Sequence, residues 1–247
     1  MTTLIYAEWY KLLRGKVLAI ILACVTAQTV IQVLGQYTTT GEPPFPGQFG
    51  VLVAANGSFL LQVWLSAFVG YFVASEFQNG TMRNIVALGK NRTQVYLSKL
   101  FSACVAIAAI YGMITIVATA GFSAVFGFGD MAFKEFISFF TWHFFMQILY
   151  HLTYAAIITM FAFVSRSLGM TIILGFGYML VMLFFPGFLS RVGLEDMDEY
   201  LPGYYISGFG QLSGDPTFVT KGIIVTAAYF VITCIIGCII FNKSDIK

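Results

Sequence analysis

Residues 169–189 read GMTIILGFGYMLVMLFFPGFL, a run without a single Lys, Arg, Asp or Glu. A bilayer core about 30 Å thick takes roughly 20 apolar residues in helix to cross, so this stretch has the length and chemistry of one crossing. Five other runs share its character: 17–37, 51–74, 100–126, 136–164 and 222–241, all free of the four charged residue types. Barrel strands would be about 10 residues long and alternate polar with apolar, and these runs do neither. The expected fold is an all-α integral membrane protein of six transmembrane helices, forming a single domain over 1–247. Composition agrees, since only 10% of residues are charged against about 25% in soluble domains. A soluble enzyme, a nucleic-acid binder and a disordered chain are thereby excluded.

Six crossings place both termini on one side. That side then holds Lys11, Arg14, Lys16, Arg83, Lys90, Arg92, Lys99, Arg166, Lys243 and Lys247, against Lys134, Arg191 and Lys221 opposite. Excess Lys and Arg mark cytoplasmic segments, so both termini are expected in the cytoplasm of a multi-pass cell-membrane protein. The acids lean the other way: Glu42, Asp130, Glu135, Glu195, Asp196, Asp198, Glu199 and Asp215 fall outside, and Glu8, Glu76 and Asp245 inside. Cys24, Cys104, Cys234 and Cys238 all lie within spans, which implies no disulfide framework.

Segments 1–16 and 75–99 are the informative inner pieces. In the first, Ile5, Tyr6, Trp9, Leu12 and Leu13 cluster on one side of a helix and Ala7, Glu8, Lys11 and Arg14 on the other, with Leu4 out of place. Such a helix lies in the headgroup region, Trp9 at the interface and Lys11 and Arg14 near anionic lipid. In the second, Thr81 is placed to cap a short helix after Gly80, and Gly89 to end it. Ile85, Val86 and Leu88 beside Arg83 suit either docking in a groove of another protein or a solvated connector.

The stretch Glu76-Phe77-Gln78-Asn79-Gly80-Thr81, with Arg83, Gly89, Arg92 and Ser98-Lys99-Leu100, resembles the loop between the second and third spans of type-2 ATP-binding-cassette (ABC) exporter permeases. The likeness is greatest to permeases of bacitracin and lantibiotic immunity and of peptide-toxin export, and the amphipathic lead and six spans match that plan. The resemblance implies that Glu76, Phe77, Gln78, Asn79, Gly80, Thr81 and Arg83 form the coupling helix seated in an ATPase subunit. It further implies two ATPase copies, which bind the ATP and Mg, and a second permease copy, like or unlike. Segment 190–221, acidic and aromatic, is expected to fold back over the outer mouth of the bundle.

Chemistry of the chain's own is missing. Gly15-Lys16-Val17 and Gly89-Lys90-Asn91 lack the preceding Gly and the hydroxyl of a phosphate loop, so ATP must be hydrolysed by a partner. A charge-free interior gives a proton or sodium relay nothing to run on. Polar rows remain: Gln28, Gln32 and Gln36 on the first span, Gln62 on the second, and His143, Gln147 and His151 on the fourth. Interhelical hydrogen bonding and a substrate-facing wall are both open readings of these rows. Two histidines eight residues apart on one helix are too distant to chelate one metal, and no metal is expected. The function expected is a permease subunit moving amphipathic peptides. Lipid, drug or polysaccharide export, a non-transporting immunity or sensor protein, and an intramembrane enzyme using His143 or His151 are the alternatives.

Overall fold

The computed structural model describes residues 2–40, 46–56, 58–209 and 216–244; Glu42, Asp215, Asp245 and Lys247 lie outside the described residues. A first helix α1 (Thr2–Arg14) turns at Gly15 into α2 (Lys16–Thr40). Next come α3 (Gly50–Asn56), α4 (Ser58–Val69), a π-helical turn Gly70–Ala74, α5 (Ser75–Gln78) and α6 (Thr81–Ala87). The long helices α7 (Arg92–Phe126), α8 (Phe133–Ser165) and α9 (Leu168–Val192) follow, then α10 (Pro202–Phe209) and α11 (Pro216–Lys243). No strand occurs among the described residues. Six helical stretches are long and apolar enough to cross a membrane, so the expected fold class holds.

The span boundaries shift, for local reasons. The described part of the second crossing runs Phe59–Gln78, four residues beyond the expected end at 74. Gly50–Asn56 is helical and lies against α7 and α8. The inner segment 75–99 is mostly helical, because helical geometry continues past the apolar run on both sides. At 35 residues, α7 is about 52 Å long and overhangs a bilayer core by roughly 20 Å. Pro186 does not break α9, which runs through it. Of segment 190–221, the described residues up to 209 lie on the bundle: α10 packs on α8, α9 and α11, with Tyr205 buried and its hydroxyl donating to the Glu199 carbonyl at 2.8 Å.

The core lies where α4, α7 and α8 meet, around Leu65, Phe68, Ile107, Tyr111, Tyr154 and Ile158. By contrast, α2, α9 and α11 form an outer fence with mostly exposed apolar faces. Close approach at the outer end depends on two glycines. A Cβ on Gly47 would sit 2.6 Å from the Ser123 Cα, and one on Gly50 would sit 2.4 Å from the Thr119 Cα. Thr119 and Ser123 are one helical turn apart on α7, so the backbone of 47–50 lies directly in a small-residue notch. Backbone bonds from Gly47 N to the Gly127 carbonyl and from Gln48 N to the Phe128 carbonyl, both 2.9 Å, fasten it there. Gly50→Leu should therefore lower the apparent melting temperature in detergent, at a cost of about 1–3 kcal/mol from overpacking. Gly177→Leu, with nothing within 4 Å of its Cβ position, is the matched control and should leave the melting temperature nearly unchanged.

Candidate functional site

The inner end of the bundle holds charges that the sequence distributes among three distant segments. The Lys99 ammonium on α7 is fully buried. It donates to Glu76 Oε1 at 2.6 Å and to the Phe72 carbonyl at 3.3 Å, and it meets Glu8 Oε2 at 2.6 Å as an ion pair. The Phe72 ring lies beneath it, 4.3 Å from the nitrogen. Lys11 closes the cluster, reaching Glu8 Oε1 at 3.1 Å and Glu76 Oε1 at 2.8 Å. Two ammonium groups and two carboxylates thus join α1, α5 and α7 in a neutral knot. Burial alone would depress the Lys11 pKa, but the hydrogen bond and charge of Glu76, with Glu8 behind them, hold it above its ordinary value. A raised lysine stabilises the fold below its unfolded pKa and stops doing so only as pH rises through the folded value, so this tie is fully made at neutral pH.

Local structure aims these groups. The π-turn Gly70–Ala74 carries the Phe72 carbonyl that Lys99 engages. A π-turn inserts one residue into the helical ladder and so changes the face on which Glu76, two residues beyond it, emerges. Gly70 admits the turn against α9, since a Cβ there would lie 3.1 Å from Leu168 Cδ1 and 3.3 Å from Thr171 Cβ. The phase of α1 differs from the expected one. Its acid does not face water: Glu8 is 3% exposed, while Tyr6 and Leu13 are 75% and 77% exposed. The tertiary ion pair determines the rotation of the helix.

Beyond the knot the chain makes a short exposed tip. Asn79 and Gly80 turn the chain between α5 and α6, with Gly80 left-handed at φ 70. Gly80, not Thr81, is the N-cap residue of α6 and makes no side-chain cap. Gly89, at φ 76, follows the end of α6, as expected. Asn91 then caps α7 by accepting from the Thr93 amide at 2.9 Å. Of the residues expected to meet an ATPase, Gln78, Asn79 and Arg83 are exposed, and Gly80 and Thr81 are half-buried. Phe77 turns inward between Phe163 and Phe241, and Glu76 belongs to the knot. Met82, fully buried, anchors the tip, and Leu88 at its end is 79% exposed. Arg92 faces away from the tip. Its guanidinium donates to the carbonyls of Asn242 at 3.0 Å and Ser244 at 2.7 Å, capping the C-terminus of α11, where a cation is favoured.

The polar rows go to separate partners. Gln62 donates to the Tyr150 hydroxyl at 3.0 Å, and the Tyr154 hydroxyl lies 2.7 Å from Ser66 Oγ and 3.1 Å from the Gln62 carbonyl. Gly175 of α9 comes close enough that a Cβ would strike Ser66 Oγ. On α2, Gln28 accepts from the Trp64 indole at 2.8 Å, and Gln32 is half-buried. His143, Gln147 and His151 are all buried. The His143 and His151 Nδ1 atoms pair with the carbonyls of Phe139 at 2.8 Å and Gln147 at 2.7 Å. A carbonyl only accepts, so Nδ1 carries the proton in both rings. The two histidines share no site, and among the described residues no group of His, Cys, Asp or Glu is placed to hold a metal.

Sequence reasoning singled out Glu76 and Lys11 but missed Lys99 and Glu8 as their partners. The available signal was a lone acid on a basic amphipathic helix and a lysine set against the start of an apolar run. Lys99→Met should prove more damaging than a surface lysine change, because Glu8 and Glu76 would be left buried with one cation between them. A loss of about 3–5 kcal/mol is expected for breaking one side of a buried ion cluster, read as a large fall in melting temperature. Adding Glu8→Gln and Glu76→Gln should recover part of it.

The sequence profile of a family described as "ABC-2 family transporter protein" matches residues 4–182. No curated protein is a significant match. The matched region runs from α1 through the knot and the exposed tip into α9, and so takes in every element assembled above except the outer segment and the last helix. A six-helix membrane bundle with that tip and no phosphate loop has the build of a transport component whose ATPase is a separate protein, and the chain belongs to the ABC-2 family of transporter proteins.

Proposed function

We propose that this permease, a membrane component of an ABC exporter, moves amphipathic peptides outward as one half of a permease pair served by two ATPase subunits. The observation that carries the coupling part of this reading is the tip 78–90. It is exposed, polar and basic at Gln78, Asn79 and Arg83, and anchored at Met82 to the same helical end that the charged knot ties to α1 and α7. A protein gripping that tip moves three elements together. ATP and Mg belong to the partner, and the termini lie with the tip on the cytoplasmic side, where the basic residues collect.

The cargo reading rests on the sequence resemblance and on the character of the fence. Amphipathic cargo needs apolar surface with scattered hydrogen-bonding groups. The half-exposed Gln32 among exposed Val30, Ile31 and Leu34 on α2 supplies both. We place the cargo path along this face, at the seam with the second permease copy. The row His143, Gln147 and His151 is closed inside one subunit, so a part in the path for it requires the bundle to open during transport.

Arg83→Glu reverses the charge of the tip without touching the core. In reconstituted vesicles it should reduce ATP-driven export at least tenfold and weaken co-purification of the ATPase, with the melting temperature of the permease unchanged. Undiminished export by Arg83→Glu would remove the tip from the coupling path. Native-membrane pull-downs that recover the permease without any ATPase would overturn the exporter assignment itself.

A further inference from the structure

The face of α1 turned away from the knot is exposed and aromatic, with a shallow groove between its side chains. Thr2, Ile5, Tyr6, Trp9, Tyr10 and Leu13 line a depression of about 360 Å³. Its ends differ in chemistry. At the C-terminal end the Arg14 guanidinium lies 4.7 Å from the centre of the Tyr10 ring, and Lys16 stands exposed after the Gly15 bend. The only acid of α1, Glu8, is buried on the opposite side. The exposed face of α1 therefore has an aromatic, apolar floor bordered by Arg14, with no anion on it, and Lys16 follows in sequence beyond the bend. The first crossing begins at Lys16, directly after the Gly15 bend, so the groove adjoins the end of an apolar span.

We propose that this groove holds an anionic phospholipid of the inner leaflet, and that its occupancy regulates coupling. The acyl chain lies along Ile5, Tyr6, Trp9 and Leu13, and the phosphate is taken by Arg14 and Lys16. Aromatic side chains favour the membrane–water interface, and juxtamembrane basic residues draw anionic lipid to the cytoplasmic leaflet. A zwitterionic lipid fills the same apolar floor but brings its own cation towards Arg14 and Lys16. The opposite face of α1 explains why the site regulates. One turn of helix away, Glu8 and Lys11 are bonded to Lys99 and Glu76, the latter at the head of the coupling segment. A lipid that seats α1 holds the knot, and the knot holds the base of the tip. This regulatory half rests on the exporter reading above; the binding half does not.

Two measurements on the permease–ATPase complex in nanodiscs separate the halves. The first is quenching of Trp9 fluorescence, isolated by subtracting the Trp9→Phe protein, with dibrominated phosphatidylglycerol compared against dibrominated phosphatidylcholine. Severalfold stronger quenching by the anionic lipid is expected, and Arg14→Gln with Lys16→Gln should erase the preference while leaving the melting temperature unchanged. Equal quenching by both lipids, a preference that survives the double substitution, or no quenching by either because another protein surface covers the groove would each overturn the site. The second is ATP turnover of the complex without added cargo, expected to rise severalfold with phosphatidylglycerol in the unaltered protein and to stay flat in the double variant. Turnover indifferent to phosphatidylglycerol, with the Trp9 preference intact, would overturn the regulatory half. If no ATPase associates, the exporter reading fails on that ground, and the quenching result still decides whether the lipid site exists.

Discussion

A single buried ammonium organises the inner half of this protein. Placing the Lys99 nitrogen out of reach of water is unfavourable unless its N–H groups and its charge are both answered. The answer comes from α1 and α5 at once, through Glu8 and Glu76 at 2.6 Å each, and from a backbone carbonyl of the π-turn. Several features follow from that requirement. The first helix must lie against α7, its acid must face inward, and the chain must leave the second crossing with Glu76 on the inner face. The knot is neutral overall, so it stands at the edge of an apolar bundle without a counter-ion. It is also divisible: its four members sit on three elements, and any relative movement of those elements stretches an ion pair in a poorly solvated place.

The crossings were legible because their signal is local. A run of about twenty residues without a charge has few structural options in a bilayer, and residues 169–189 or 222–241 make that case unaided. Their ends were less legible. Helical geometry continues through Arg92 to Lys99 and through Ser75 to Gln78, because those residues are compatible with helix whether or not lipid surrounds them.

The site was legible only in part, for a related reason. Gln78, Asn79, Gly80 and Arg83 stand together in sequence and remain together on the exposed tip. Lys99 pairs with residues more than twenty and ninety positions away, and no periodicity in any one segment announces that. The amphipathic reading of α1 was misled for the same cause: Glu8 looks like part of a wetted face until the partner that buries it is in place. The π-turn has no sequence signature stronger than a glycine inside an apolar run. The polar rows show the reverse case. Gln62 and Gln28 were visible as polar residues within spans, and their hydrogen bonds to Tyr150 and Trp64 are the ordinary consequence of placing an amide where water is absent.

The two ends of α7 are fastened by opposite kinds of contact, and this bears on how force would travel. At the outer end, Gly47 and Gly50 press backbone against Thr119 and Ser123 with no room for a methyl group, a short-range contact that tolerates little displacement. At the inner end, Lys99 is held by charge, whose attraction falls off more slowly with distance than packing contacts do. Stretching the knot is costly, because its pairs are buried and poorly solvated, so both ends of α7 resist displacement relative to their neighbours. Between them runs a continuous helix of 35 residues, stiff along its length because each turn is hydrogen-bonded to the next. With both ends fastened, α7 is built as one strut that runs from the charged knot to the 47–50 notch without a charged residue along the apolar stretch between them.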